Sequence, residues 1–309
     1  MQKKQDRNVL VTGAAGFIGS HLCKELIQKK YNVFGLSLSN NFHNIKSLSK
    51  QKNFCLLKGN IRNLNFLKKI IKKYHIKTIF HLAAALPHND NLREPFLLFE
   101  VNARGTLNLL NAAYLNKVNK FIYASSSSVY SEPPEYLPVD EDHPTRPSTI
   151  YGISKLEGEL HCAAYSKVMD VVVLRYCGAY GEGQDEHYAT YRFIKQALKN
   201  KPITIYGDGK QSSDFTYIGD IVRGTILAMR KNKSGIYNIS SGKETSIRDL
   251  AKKIIKITGS QSKIILTNKN TNRPFRFFLD IKRAKKILGY SPLSLDKGLS
   301  RYISEIKNR

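Results

Sequence analysis

Asn8-Val9-Leu10-Val11-Thr12-Gly13-Ala14-Ala15-Gly16-Phe17-Ile18-Gly19-Ser20 decides the fold. Asn8–Thr12 has the apolar, β-branched character of a buried strand, and three glycines at intervals of three follow it at once. The pattern then predicts a helix from Ser20 to Lys29 and a second strand over Asn32–Leu36. Strand, glycine turn, helix and strand in that order give a glycine-rich run physical meaning. The glycines let the backbone turn tightly and come close to a pyrophosphate, which the positive end of the following helix attracts.

Working outward, the same alternation continues. Strands are expected at Phe54–Leu57, Thr78–Leu82, Lys120–Ala124 and Val171–Arg175, with helices at Leu64–Lys73 and from about Pro95 to Asn116. Short strands alternating with helices predict a parallel sheet covered on both faces. Beyond Arg175 the alternation loosens. Helices at Tyr191–Lys199, Ile218–Arg230, Ile247–Thr258 and Ile281–Leu288 separate short strands at Gly235–Ile239 and Ile264–Leu266, and a C-terminal helix follows. The expected organisation is a doubly wound dinucleotide-binding domain over residues 1–175. Residues 176–309 form mainly a smaller α/β lobe for the substrate, part of which returns to the sheet.

With 309 residues, 41% of them apolar, the chain has ample material for a core. Its formal charge of +26 invites a nucleic-acid reading, but the lysines are spread along the chain and form no dense tract. No nucleic-acid partner is expected, although a positive surface attracts a diphosphate. No run approaches the roughly 20 apolar residues that span a bilayer, and Met1–Arg7 has no apolar signal core. A cytoplasmic protein with no membrane association is expected. Cys23, Cys55, Cys162 and Cys177 show neither paired nor metal-like spacing, so free thiols and no metal site are expected.

The chemistry-bearing stretch is Tyr151-Gly152-Ile153-Ser154-Lys155, at the start of a helix expected to run to about Lys167 with Ser148 as its N-cap. Tyr151 and Lys155 fall on one face, one turn apart. A cation so placed favours the ionised phenol, which can take a proton from a sugar or alcohol hydroxyl. Upstream, Ser125-Ser126-Ser127-Ser128 ends a strand at the sheet edge where ligands bind in such folds. The small turn Ala83-Ala84-Ala85 ends the fourth strand and leaves room for a cofactor.

Taken together, these pieces resemble the extended short-chain dehydrogenase/reductases, specifically the nucleotide-sugar epimerase/dehydratase family of UDP-glucose 4-epimerase-like enzymes. The motifs are the glycine turn, His81-Leu82-Ala83-Ala84, Val101-Asn102 with Gly105-Thr106, the serine run and Tyr151–Lys155 with Leu156-Glu157-Gly158-Glu159. Later come Leu174-Arg175-Tyr176, Tyr180-Gly181, Ile205–Gln211, Asp214–Tyr217 and Lys285–Tyr290.

The resemblance implies catalytic roles for Tyr151 as general base, Lys155 as its support and Ser126 as a hydrogen-bond donor to the reacting oxygen. It implies cofactor contacts at Gly13, Gly16, Phe17, Ile18, Gly19, Ser37, Asn60, Ile61, Leu82, Ala83, Ala84, Asn102 and Tyr176, besides Tyr151 and Lys155. Substrate contacts would come from Ser127, Ser128, Gly178, Ser213, Arg273 and Arg276. It further implies a nucleotide-diphosphate sugar as substrate, a homodimer packed through Pro95–Asn116 and Tyr151–Lys167, and a place in polysaccharide biosynthesis.

Related 4,6-dehydratases usually carry Asp-Glu after the catalytic Thr; here those positions are Ser127 and Ser128. Serines supply no titratable acid or base for eliminating water, which favours C4 epimerisation through transient oxidation. The alternatives are a dehydratase, a 4-ketoreductase or dehydrogenase on the same fold, and, more distantly, a non-catalytic NAD(P)-binding protein. Ser37 replaces the Asp with which NAD-preferring relatives hold the ribose; Ser39, Asn40, Asn41, His43 and Lys46 follow. NAD is the expected cofactor, with NADP as the alternative. Gly178 replaces a common Asn, and Ser213 a common Arg on the diphosphate, a loss that Lys210, Arg273 or Arg276 would have to make good.

Overall fold

A computed structural model describes residues 7–38, 43–86, 95–231, 233–268 and 276–308. The chain divides into two compact units, one built from residues 1–131, 144–175 and 222–237, the other from 132–143, 176–221 and 238–309.

Unit one is built on a seven-stranded sheet. Its elements begin β1 (Asn8–Thr12), α1 (Phe17–Gln28), β2 (Asn32–Ser37), β3 (Phe54–Lys58), α2 (Leu64–Lys73) and β4 (Thr78–His81). They continue with α3 (Pro95–Leu98), a π-helical turn (Phe99–Arg104), α4 (Gly105–Leu115), β5 (Lys120–Ser126), α5 (Ile150–Tyr165) and β6 (Asp170–Tyr176). The small strands of unit two follow: β7 (Ala179–Tyr180), β8 (Ile203–Tyr206), β9 (Ser212–Asp214) and β10 (Thr216–Tyr217). Then come β11 (Gly235–Ile239), β12 (Glu244–Ser246) and β13 (Ile264–Thr267). The sheet order is β11-β6-β5-β4-β1-β2-β3. Strand β1 lies between β2 and β4 and is parallel to both, and the pairs β2–β3 and β4–β5 are parallel as well. The order of addition reverses between β1 and β4, the kind of switch point beside which open α/β sheets bind ligands at their carboxyl ends.

One face of the sheet carries a continuous core. Leu10, Ile79, Phe121 and Val173 from the strands meet Leu67, Ile70 and Ile71 of α2, Leu109 and Leu110 of α4 and Cys162 of α5. Helix α1 buries Leu22, Cys23, Leu26 and Ile27. Burying such side chains contributes about 1.5–3 kcal/mol each, so the core fixes the strand ends that carry polar groups.

Local differences from the sequence reading have physical causes. Helix α1 starts at Phe17 rather than Ser20, because Gly13 closes the turn early: Gly16 N donates to Gly13 O and Ser20 N to Gly16 O, both at 3.0 Å. The helix α5 cap is Thr149, not Ser148; its Oγ1 accepts from Gly152 N at 3.0 Å. Strand β5 runs on through Ser125 and Ser126, and the remaining serines turn in a short 3-10 helix, Ser127–Val129. The long helix expected over Pro95–Asn116 is interrupted by the π-helical turn. A 3-10 helix at His43–Lys50 was not anticipated.

Unit two holds three small pairs: β7 with β10, parallel; β8 with β13, parallel; and β9 with β12, antiparallel. Helices α6 (Ala189–Leu198), α8 (Ile247–Thr258), α9 (Lys282–Leu288) and α10 (Leu295–Lys307) belong to it, and α7 (Ile218–Arg230) spans the change of unit. Its polar centre is Asp214, which accepts from the backbone N–H groups of Ser241, Gly242 and Leu279 and from the Ser241 hydroxyl. Among the described residues no helix is long and apolar enough to cross a membrane, and all four cysteines are free.

Candidate active site

The first half of the site grows from the end of β1. Gly13 has φ +70°, and a Cβ on it would lie 2.8 Å from Ala83 N. A Cβ on Gly19 would overlap Gly13 O. The turn therefore exists only with glycine at both places. It leaves a bare backbone cradle at the N-terminus of α1, with Gly16, Phe17 and Ile18 at the first turn, where N–H groups and helix dipole favour an anion.

The loop after β4 is tied to this cradle by buried hydrogen bonds. Ala83 N donates to Thr12 Oγ1 at 3.1 Å, and Leu82 N to Thr12 O at 3.2 Å. Thr12 Oγ1 meets His81 Nδ1 at 2.7 Å, and His81 Nε2 meets Thr106 Oγ1 at 2.9 Å. Because Thr106 donates its own proton to Asn102 O at 2.5 Å, it can only accept from His81. His81 is thus the neutral tautomer with its proton on Nε2. Burial, and then the Lys155 ammonium, lower the imidazole to about 3.

Asn102 sits on the π-helical turn. Its Oδ1 accepts from Ala85 N at 2.8 Å, while Nδ2 donates to Ala85 O and to Ser154 Oγ, both at 3.0 Å. Ser154 in turn donates to Tyr151 O at 2.8 Å. Asn102 thereby joins the Leu82–Ala85 loop to the first turn of α5. Single π-turns inside helices often mark functional positions.

The second half of the site is the contact between α5 and the serine turn. A Cβ on Gly152 would collide with Ser128 O, so glycine lets the first turn of α5 lie directly against the serines. Ser126 Oγ accepts from Ser128 N at 3.1 Å and donates to Ser128 Oγ at 3.2 Å. Lys155, only 3% exposed, places Nζ 4.3 Å from the centroid of the Tyr123 ring. Burial lowers its ammonium to about 8, against the raising influence of Cys162 and Glu159. Ser126, Ser127, Ser128, Tyr151 and Lys155 are thus gathered in unit one.

The other candidates are dispersed. Ser37, 8% exposed, ends β2. Asn60 Oδ1 already accepts from Arg62 N at 2.9 Å and from Arg62 Nε at 3.4 Å, while Ile61 is buried. An open cleft of about 660 Å³ lies here, lined by Asn60, Arg62, Asn63, Leu64, Asn65, Glu100 and Arg104, and it contains none of the serine, tyrosine or lysine candidates. Arg62 and Arg104 were not singled out by the sequence, which marks neither with a motif.

In unit two, Tyr176 is the buried last residue of β6. Gly178 has φ +56°, and a Cβ there would run into Asp214 O, so this packing leaves no room for an asparagine. Ser213 lies on β9 opposite Thr245. Arg276 grips Glu244 with two parallel bonds, Nε to Oε1 at 2.7 Å and Nη2 to Oε2 at 2.6 Å. Lys210 stands 3.8 Å from Asp208 at the surface. Arg273, with Ser39, Asn40 and Asn41, lies outside the described residues.

Known proteins resemble this chain over nearly its whole length. A putative UDP-glucose 4-epimerase of Methanocaldococcus jannaschii is 36% identical over 309 residues, covering 97% of this chain and 98% of that protein. The UDP-glucuronic acid 4-epimerase of Bacillus cereus, solved with UDP-glucuronic acid and NAD, is 37% identical with a TM-score of 0.86, over 97% of this chain and 99% of that one. The UDP-glucose 4-epimerase of Thermotoga maritima, solved with UDP-glucose, is 29% identical with a TM-score of 0.90 at the same coverage. Residues 9–240 match the model of the NAD dependent epimerase/dehydratase family, and the chain belongs to that family.

Proposed function

We propose that this chain is an NAD-dependent UDP-sugar 4-epimerase in which Tyr151, Lys155 and Ser126 perform the proton chemistry. The observation that carries the reading is the buried Lys155 one turn below Tyr151, on a helix pressed by Gly152 against a serine run that contains no acid. The glycine cradle at α1 fits a dinucleotide pyrophosphate, since side chains at Gly13 and Gly19 would fill it. NAD supplies a hydride acceptor that can return what it takes.

Tyr151 as phenolate removes the proton of the sugar C4 hydroxyl, and returns it after the keto sugar has turned its other face. The Lys155 ammonium stabilises the phenolate by opposite charge. Ser126 donates to the C4 oxygen, holding it as it becomes a carbonyl. Ser127 and Ser128 face the sugar as neutral groups, which suits reversible oxidation and not loss of water. Asn102 positions the loop carrying Leu82–Ala84. Arg276, whose fork matches two oxygens of a carboxylate or phosphate, binds the diphosphate in place of an arginine at Ser213.

A homodimer packed through Pro95–Asn116 and Tyr151–Lys167 is supported by the exposed apolar side chains Phe96, Phe99, Leu107, Tyr114 and Leu160. Free, mostly buried thiols fit a cytoplasmic location, and surface-polysaccharide synthesis is a use that consumes such sugars.

The test is incubation with UDP-glucose, UDP-glucuronate and the TDP-, GDP- and CDP-sugars, followed by proton NMR. The 4-epimer should form from a UDP-sugar without net NADH, and Tyr151→Phe should lower kcat by at least about 10²-fold. A 4-keto-6-deoxy product, or turnover only with added NADPH, would overturn the reading.

A further inference from the structure

Glu159 lies on α5 two turns beyond Tyr151, and spacing by four places Tyr151, Lys155 and Glu159 on one helix face. Its carboxylate is fully engaged. Oε1 accepts from Ser125 Oγ at 2.5 Å and from Arg175 Nε at 3.0 Å, and Oε2 accepts from Arg175 Nη2 at 2.7 Å. Both partners of the ion pair are buried, at 3% and 4% side-chain exposure. The Arg175 guanidinium also lies over the Tyr130 ring, 4.6 Å from its centroid. Ser125 directly precedes Ser126, and Tyr130 directly follows the serine turn. One carboxylate on the Tyr151 helix thus holds both ends of the serine run.

Packing alone does not account for this arrangement, because apolar residues of the same volume hold buried elements together as well as an ion pair does, or better. The charge has a second neighbour. Lys155 faces His81 from β4, Tyr123 from β5, and Glu159 and Cys162 on α5, with Tyr151 one turn before it on the same helix. His81 is neutral, and burial pushes the Tyr123 phenol and the Cys162 thiol up, so both stay protonated. Glu159 is left as the anion one turn from the ammonium.

We propose that Glu159 is a positioning residue: through Ser125 and Arg175 it sets where Ser126 stands against Tyr151, and its charge keeps Lys155 in the ammonium form. This rests on Tyr151, Lys155 and Ser126 being the reacting set of the proposed epimerase. Burial already lowers Lys155 to about 8, so loss of the Glu159 charge brings its deprotonation into the working pH range.

Glu159→Gln strands Arg175 without its anion, so Glu159→Gln/Arg175→Met, which removes both charges, carries the test alongside Ser125→Ala. Each is checked for native circular dichroism and thermal midpoint. Lys155 is titrated by NMR of carbon-13-labelled lysine, a readout that requires no turnover, and the pH profile of kcat is measured with the UDP-sugar that the wild type epimerises. In the double variant the Lys155 midpoint and the alkaline limb of kcat should fall together by about one pH unit. Ser125→Ala should lower kcat about tenfold with KM changed less than twofold and the Lys155 midpoint unmoved.

A folded double variant with a wild-type Lys155 titration overturns the charge role, and a wild-type kcat in Ser125→Ala overturns the positioning role. If the wild type epimerises no UDP-sugar, the underlying reading fails instead, while the titration still reports on Glu159 and Lys155.

Discussion

Arg175 grips Glu159 within unit one with side chains 3% and 4% exposed, while Arg276 grips Glu244 within unit two with side chains 53% and 26% exposed. The fork geometry is the same in both. Inside, water cannot replace a missing partner, so each charge depends on the other and the pair is fixed. At the surface, water screens the pair and can stand in for either member, so Arg276 is able to change partners. A diphosphate offers that guanidinium the same two oxygens as Glu244 does. Burial alone converts a releasable grip into a fixed clamp.

The largest effect that tests this contrast is on stability. Glu159→Ala leaves an uncompensated guanidinium inside and should destabilise the fold by about 3–5 kcal/mol, read as a lower midpoint in chemical denaturation. Glu244→Ala should leave that midpoint unchanged. Equal losses from both substitutions would break the comparison.

Acid provides the next largest effect, and it too separates the units. The unfolded chain protonates His81 below about 6.5, whereas in the folded unit burial and Lys155 hold the imidazole neutral down to about 3. This contribution is complete above 6.5 and is lost as pH falls through that window, amounting to about 2 kcal/mol by pH 5. In unit two, burial raises the Asp214 carboxyl, against its hydrogen bonds from Ser241, Ser240 and Leu279. Its sign is opposite: the folded state binds the proton more readily, so acidification removes nothing from unit two through Asp214. Hydrogen exchange resolved by peptide, at pH 5 and pH 7 with intrinsic rates corrected, should show β4 and β5 losing protection before β9 and β12.

These two regions also differ in how readily they were read from sequence. The glycine turn, the parallel strands and the bounds of α7, α8 and β11 were legible because apolar runs and glycines act locally. The pairings β8 with β13 and β9 with β12 were not, since they join segments far apart in the chain with no turn chemistry between them. The Thr149 cap was missed because Ser148 and Thr149 are both competent caps, and only the backbone path chooses. Arg175 lies in a motif that implies no role for it, although an arginine ending the apolar run Val171–Leu174 signals a buried partner. Glu159, on the buried face of α5, was the matching signal. Arg276 was named for its charge, but its tie to Glu244 depends on the β9–β12 pairing, which sequence does not reveal.

Substrate affinity should respond next. With Arg276 holding the diphosphate as proposed, Arg276→Ala should raise KM for the UDP-sugar on the order of tenfold, with kcat changed little. A fall in kcat with unchanged KM would show that Arg276 acts elsewhere than on binding.

Glu244→Gln should give the smallest effect and the most discriminating one. The Arg276 hydrogen bonds hold the Glu244 carboxyl below its usual range, so the pair is charged at every working pH and substrate must compete with a resident anion. Gln keeps the length and the Ser212 contact, made at 2.5 Å to Oε1, but offers Arg276 a weaker acceptor. If Glu244 only competes, KM falls by about two- to threefold and the change fades with added salt, because it is an exposed electrostatic effect. If Glu244 instead pre-orients Arg276 for the diphosphate, KM rises, since ordering the guanidinium is then left to the substrate. The sign of that small change decides whether the exposed pair opposes binding or prepares it, a distinction that cannot arise for Glu159 and Arg175, whose partners never leave.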